Sequence, residues 1–261
     1  MIDDNHYYAR MLGGELQREG AGGLVLVTGA RQVGKTTLLK KHFPGLAYYN
    51  LDAVENRAYL SSCPAAAWHR NPGPAVIDEI QKQPELLEKI KFALDEGRLE
   101  RTVMTGSSQI LLLKNVRESL AGRVRLLELF PLSVGELADR GGAACLFTML
   151  LATPAVFPEA LPAMLPPAAA APLQEAERTD YMWGGMPALF SLPVERRREW
   201  LADYRATFLQ RDLLDLARLH DLMPFATFQK LVALRAGGIV NYADLARDCG
   251  VAPDTARRFL E

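Results

Sequence analysis

Between residues 24 and 132, short apolar runs rich in β-branched residues alternate with longer stretches whose apolar positions recur every three or four residues. The first pattern predicts strands and the second amphipathic helices. Strands are expected at 24–27, 47–52, 74–79, 101–108 and within 120–132, and helices at 36–42, 53–60 and 84–96. The last helix has an apolar side of Leu86, Leu87, Ile90, Phe92 and Leu94. Pro44-Gly45 and Gly97 stop two of these helices, and Asp52 stands where an N-cap for the 53–60 helix is needed. A further helix over 7–19 presents Tyr8, Met11, Leu12 and Leu16 on one face before Gly20-Ala21-Gly22-Gly23 ends it. The alternation predicts an α/β fold: a parallel sheet with flanking helices.

The pattern changes after residue 140. From 141 to 178 Ala, Pro and Leu dominate, and Pro154, Pro158, Pro162, Pro166, Pro167 and Pro172 break the region repeatedly, so a linker or insertion with broken short helices is expected there. From 179 to 261 the pattern is helical again, with a long run over 194–219. Three regions therefore follow one another: 1–140, 141–178 and 179–261.

One loop carries specific chemistry. After the first apolar run comes Gly29-Ala30-Arg31-Gln32-Val33-Gly34-Lys35-Thr36-Thr37, a G-x-x-x-x-G-K-T sequence between a strand and a helix, which makes the fold class a P-loop parallel sheet. The two glycines let the backbone curl so that successive N–H groups converge on an anion, and the helix adds the positive end of its dipole. Lys35 is expected on the β- and γ-phosphates and Thr36 on Mg²⁺. All nine residues, Gly29 to Thr37, are assigned to binding ATP or ADP.

The third strand ends in Asp78-Glu79. Two adjacent carboxylates at the end of a buried strand call for a cation or a water network. Asp78 is assigned to Mg²⁺, directly or through water, and Glu79 to polarising the attacking water as general base. The fourth strand brings the hydroxyls of Thr105, Ser107 and Ser108 to the same end, where one of them orients that water. Arg123, at the turn before the fifth strand, is either a γ-phosphate arginine or half of a surface ion pair. Arg205 and Arg211 are either lid residues or part of a solvated helix face.

Composition narrows the partners. The net charge of −1 gives no global basic excess for nucleic acid, so any DNA contact must be local. Cys63, Cys145 and Cys249 are odd in number and scattered, which argues against a disulfide framework or a zinc site and fits a reducing cytoplasm. The N-terminus has no apolar segment of a secretory signal, and the prolines of 141–174 rule against a spanning helix, so no membrane role is expected.

The motifs G-A-R-Q-V-G-K-T-T, V-I-D-E-I-Q, T-G-S-S-Q and S-L-A-G-R-V-R-L-L-E-L-F-P-L-S-V-G-E-L together resemble the AAA+ ATPases of bacteria and archaea whose C-terminal half is a domain of unknown function. That group is similar to the branch containing origin-recognition and signalling ATPases. The likeness covers residues 7 to about 140 most strongly, and Gly184-Gly185-x-Pro187 and the 207–212 segment extend it. It implies phosphate and Mg²⁺ binding by Gly34, Lys35, Thr36 and Thr37, a hydrolytic pair in Asp78 and Glu79, a sensor in Ser107 or Ser108, and an arginine finger in Arg123, which brings in a homo-oligomer.

The last segment, about 239–261, reads as a helix-turn-helix: Ala246 sits at the crossing, Gly250 ends the first helix and Val251 plugs the turn, with Arg257 and Arg258 on the second helix. No wing follows, and the resemblance implies a further domain, so an incomplete winged helix from a longer protein is expected. The favoured activity is Mg²⁺-dependent ATP hydrolysis driving a conformational switch, coupled to DNA or to a protein partner. The alternative is a nucleotide-gated regulator with negligible hydrolysis. A kinase would need an acceptor pocket and a basic lid, and a GTPase would need N-K-x-D, which the sequence lacks.

Overall fold

The structure, a computed structural model, describes residues 6–16, 23–106, 116, 119–141, 170–208 and 223–260. It divides into two compact units, Met1–Arg197 and Arg198–Glu261.

The first unit is built on five parallel strands: β1 (Leu24–Thr28), β2 (Ala47–Asn50), β3 (Ala75–Asp78), β4 (Thr102–Thr105) and β5 (Arg125–Glu128). Their spatial order is β2-β3-β4-β1-β5. Along β1 the side chains alternate between faces, as a strand requires. Leu24 and Leu26 enter one apolar cluster with Leu51, Trp68, Ile77, Leu87, Ile90 and Met104, whereas Val25 and Val27 enter a second with Val33, Leu38, Leu39, Val76 and Val103. Both faces are thus covered, which is why β1 reads as an unbroken apolar run. The register pairs Thr28 with Glu128, Val27 with Thr105 and Asn50 with Asp78, so the carboxyl ends of the strands share one edge.

Around the sheet lie α1 (Leu12–Leu16), α2 (Lys35–His42), α3 (Val54–Ser62), α4 (Leu86–Asp95), α5 (Val134–Leu137) and α6 (Ala170–Trp183). Three expectations need correction. The helix expected from residue 7 begins at Leu12: residues 6–10 are not helical, and Gly13 N–H closes on the Arg10 carbonyl at 2.9 Å. Just before the helix, Arg10 is held instead by long-range bonds to the Val33 and Phe130 carbonyls, and within it Gly13 packs beside the His42 ring. Asp52 is not the cap of α3; Ala53 holds that position without a side-chain bond, while the Asn50 side chain accepts from Asp52 N–H at 2.8 Å and Asp52 pairs with Lys82. Phe92 does not join the buried side of α4, because the buried stripe Leu86, Leu87, Ile90 and Ala93 leaves it facing outward at 49% exposure.

The second unit contains most of α7 (Val194–Phe208), and then α8 (Met223–Leu234), α9 (Tyr242–Cys249) and α10 (Pro253–Leu260). The Asn241 side chain caps α9 by accepting from Ala243 and Asp244 N–H at 3.0 and 3.3 Å. Gly250, at φ 69°, ends it, and Val251 N–H returns to the Ala246 carbonyl at 2.9 Å. The core is small: Phe228, Leu245, Ala246 and Ala256, with Phe259 set edge-on against Phe225 and Phe228. No described helix is long and apolar enough to cross a membrane.

Candidate functional site

The chain leaves β1 into a loop with three left-handed residues, Gly29 (φ 146°), Gln32 (φ 62°) and Gly34 (φ 96°). Gly29 has no substitute, since a Cβ there would lie 2.2 Å from the Leu129 carbonyl oxygen. Val33 turns inward and is fully buried, anchoring the loop to the sheet, while Ala30, Gln32 and Thr37 face solvent. Helix α2 starts at Lys35, so its free N–H groups and the positive end of its dipole converge on the loop. The Lys35 ammonium lies back across the loop and donates to the Gly29 and Ala30 carbonyls at 2.9 and 2.8 Å.

Asp78, at the end of β3, is buried. Three hydroxyls converge on its carboxylate: Thr36 at 2.7 Å, and Tyr48 and Thr105 through short bonds. These come from α2, β2 and β4, so the carboxylate ties three elements together. Burial, reinforced by the bond to Asp78, raises the Tyr48 phenol well above its ordinary range and keeps it a donor. The next residue, Glu79, has left-handed backbone (φ 62°, ψ 45°), a conformation that costs roughly 1–3 kcal/mol in a non-glycine residue and clusters at functional sites. Its N–H donates to Thr105 Oγ1 at 3.1 Å, and its carboxylate accepts from the Gln81 amide.

The sheet therefore brings Lys35, Thr36, Asp78 and Glu79 to one edge. Strand β4 lies between β1 and β3, and that order puts Thr105 between the phosphate loop and the acidic pair. Residues 22–138 match the family described as AAA domain, and residues 174–261 match a domain of unknown function (DUF8612). The chain carries an AAA domain followed by that C-terminal domain.

Two mycobacterial relatives, the uncharacterized proteins Mb2031c of Mycobacterium bovis and Rv2008c of Mycobacterium tuberculosis, are each 31% identical over 248 residues, covering 91% of this chain and 47% of their own length. The chain thus spans about half the length of the curated relatives it matches. Among solved structures, the Walker-type ATPase PABY2304 of Pyrococcus abyssi is similar over 100% of this chain and 96% of its own, at 15% identity and a TM-score of 0.47. A STAND protein with a tetratricopeptide repeat sensor, PH0952 of Pyrococcus horikoshii, is similar over 92% of this chain and 36% of its own, at 14% identity and a TM-score of 0.37.

An AAA domain implies nucleotide binding. Ser107 and Ser108 lie outside the described residues, as does Arg211. Arg123 is two residues before β5, at the amino end of the sheet and opposite the phosphate loop; it pairs with Asp95 at 2.8 Å, both side chains 43% exposed. Thr105 bonds Asp78 and the Glu79 backbone, a role not foreseen for it. Sequence reasoning also missed Tyr48, Arg10 and Glu136. Arg10 is buried; it donates to the Val33 carbonyl at 2.8 Å and to the Phe130 carbonyl, and lies 3.2 Å from the Glu136 carboxylate. Glu136 in turn accepts from Met11 and Ser133 N–H, closing a capping box with Ser133. The Ser-x-x-Glu spacing was the one available signal.

Proposed function

We propose that this chain binds ATP with Mg²⁺ at the carboxyl end of β1 and hydrolyses it, and that the cycle drives a conformational switch. The observation that carries this reading is the Thr36 hydroxyl bonded to Asp78 beside Lys35, with Glu79 one residue further on. Thr36 and Asp78 are hard oxygen donors of the kind Mg²⁺ takes, and they would hold it. The ion, when bound, neutralises charge on the phosphates. Lys35 moves from the loop carbonyls to the phosphates, exchanging two neutral acceptors for an anion. Glu79 accepts the proton of the attacking water, and Ser107 or Ser108 completes its orientation. Arg123, at the amino end of β5, is placed to serve a neighbouring subunit's γ-phosphate rather than its own.

The AAA region is assigned to 1–140, a connecting region to 141–178 and the contact-making helical region to 179–261. The α9–Gly250–α10 turn is read as a helix-turn-helix. Arg247 is bonded to Asp244 at 2.8 Å and lies 3.8 Å from Asp248, and Arg235 pairs with Asp248, so much of the local basic charge is already neutralised. That favours a protein partner over DNA for this unit.

The test is phosphate release from ATP with Mg²⁺ and with chelator, each with and without duplex DNA. Mg²⁺-dependent release supports the reading, and nucleotide binding without release moves it to a nucleotide-gated regulator. DNA affinity that loses up to about two units of salt slope in an Arg257→Ala/Arg258→Ala chain would reassign the C-terminal unit to DNA.

A further inference from the structure

We infer that Arg10 is a positioning residue for the phosphate site: it sets the orientation of the Val33–Gly34 peptide so that the Gly34 N–H faces the anion. This rests on the nucleotide-binding reading above. A trans peptide directs its C=O and its N–H to opposite sides. The Val33 carbonyl is held at 2.8 Å by the Arg10 guanidinium, on the outer side of the loop. The same guanidinium lies 3.6 Å from where a Gly34 Cβ would project, so it occupies that side at both ends of the peptide. The Gly34 N–H is therefore turned the other way, toward the concavity that ends at the start of α2.

The peptide cannot flip while Arg10 is fixed, and Arg10 is fixed at two further points. Its second amino group donates to the Phe130 carbonyl just past β5, its Nε lies 3.2 Å from Glu136 Oε1 in an ion pair, and Glu136 is itself held by Met11 and Ser133 N–H. Arg10 and Glu136 are both more than nine-tenths buried, so the pair is shielded from solvent and neutral as a unit. Gly34, at φ 96°, has no steric bar of its own to other orientations, which is why an external grip matters at this peptide. A preorganised donor binds an anion without having to reorient at the moment of binding.

The test is titration of ADP, which needs no hydrolysis, into the intact chain and two variants, with thermal melting recorded in parallel. Arg10→Lys keeps one donor for the Val33 carbonyl and is expected to weaken ADP a few-fold. Arg10→Met/Glu136→Gln removes the grip and the charge pair together, so no lone buried charge remains, and is expected to weaken ADP about tenfold or more while still folded. Graded loss of affinity in folded protein supports the inference; a purely structural role would lower the melting temperature and leave the affinity of the folded chain unchanged. Tight ADP binding by wild type and both variants overturns the inference alone. No ADP binding by wild type overturns the reading beneath it as well.

Discussion

The carboxyl edge of the sheet and the α8–α10 helices are stabilised in different ways. At the sheet edge, Asp78 is buried and takes three hydroxyls from three elements, and Arg10 is buried and takes a loop carbonyl, a strand-end carbonyl and a carboxylate. In the helical unit, the polar contacts are local and exposed: Asn241 caps its own helix, Arg247 pairs three residues back, and the core is a few apolar side chains around Phe228 and Leu245. Buried polar groups left without partners cost far more than exposed ones, so residue identity is pinned at the sheet edge and loosely held in the helices. Fixed geometry, of the kind that site chemistry needs, is found at the first.

Substitutions can break this contrast, and the largest effect is expected at Lys35. Lys35→Ala removes the cation of the phosphate site and should lower ATP affinity by roughly 100-fold or more, with the fold retained, as read by ATP titration beside circular dichroism. Unchanged affinity would separate the loop from nucleotide altogether. Gly29→Ala drives a Cβ toward the Leu129 carbonyl at a position of positive φ, and should cost roughly 2–4 kcal/mol in urea unfolding of the first unit.

Moving to the helices, Asn241→Ala deletes the α9 cap and should cost about 1 kcal/mol, seen as faster amide exchange in the first turn of α9 with the sheet's exchange unaffected. Loss of protection in the sheet as well would mean that the two regions unfold as one. The smallest effect is expected at Arg123. Its pair with Asp95 is half exposed, so Arg123→Ala should change stability by less than about 1 kcal/mol. A fall in ATP turnover in that variant, at unchanged ATP affinity, would instead place it at a neighbouring subunit's site.

What was legible in the sequence follows the same division. The strands, the glycine loop after β1 and the carboxylates at the end of β3 were readable because each depends on local pattern: β1 alternates between two buried faces, and Gly29 and Gly34 mark backbone that few other residues adopt. Gly250 likewise announced the end of α9. The partners of the site were not readable. Tyr48 reaches Asp78 across 30 positions, and Arg10 reaches Phe130 across 120, through contacts that exist only once β2 lies beside β3 and β5 beside β1. Nothing in a strand alternation or a tyrosine's neighbours encodes that. Asp52 failed as a cap for a related reason: the Asn50 side chain already takes its N–H, and Lys82 takes its carboxylate.

The central claim is that Glu79, set in strained backbone beside Asp78, activates water against bound ATP. Single-turnover phosphate release from Glu79→Gln, with bound ATP measured in the same samples, tests it most directly. Release slowed by roughly 100-fold or more with ATP still bound is the expected result. Release at the wild-type rate would contradict it, leaving Glu79 as the polar end of a strand.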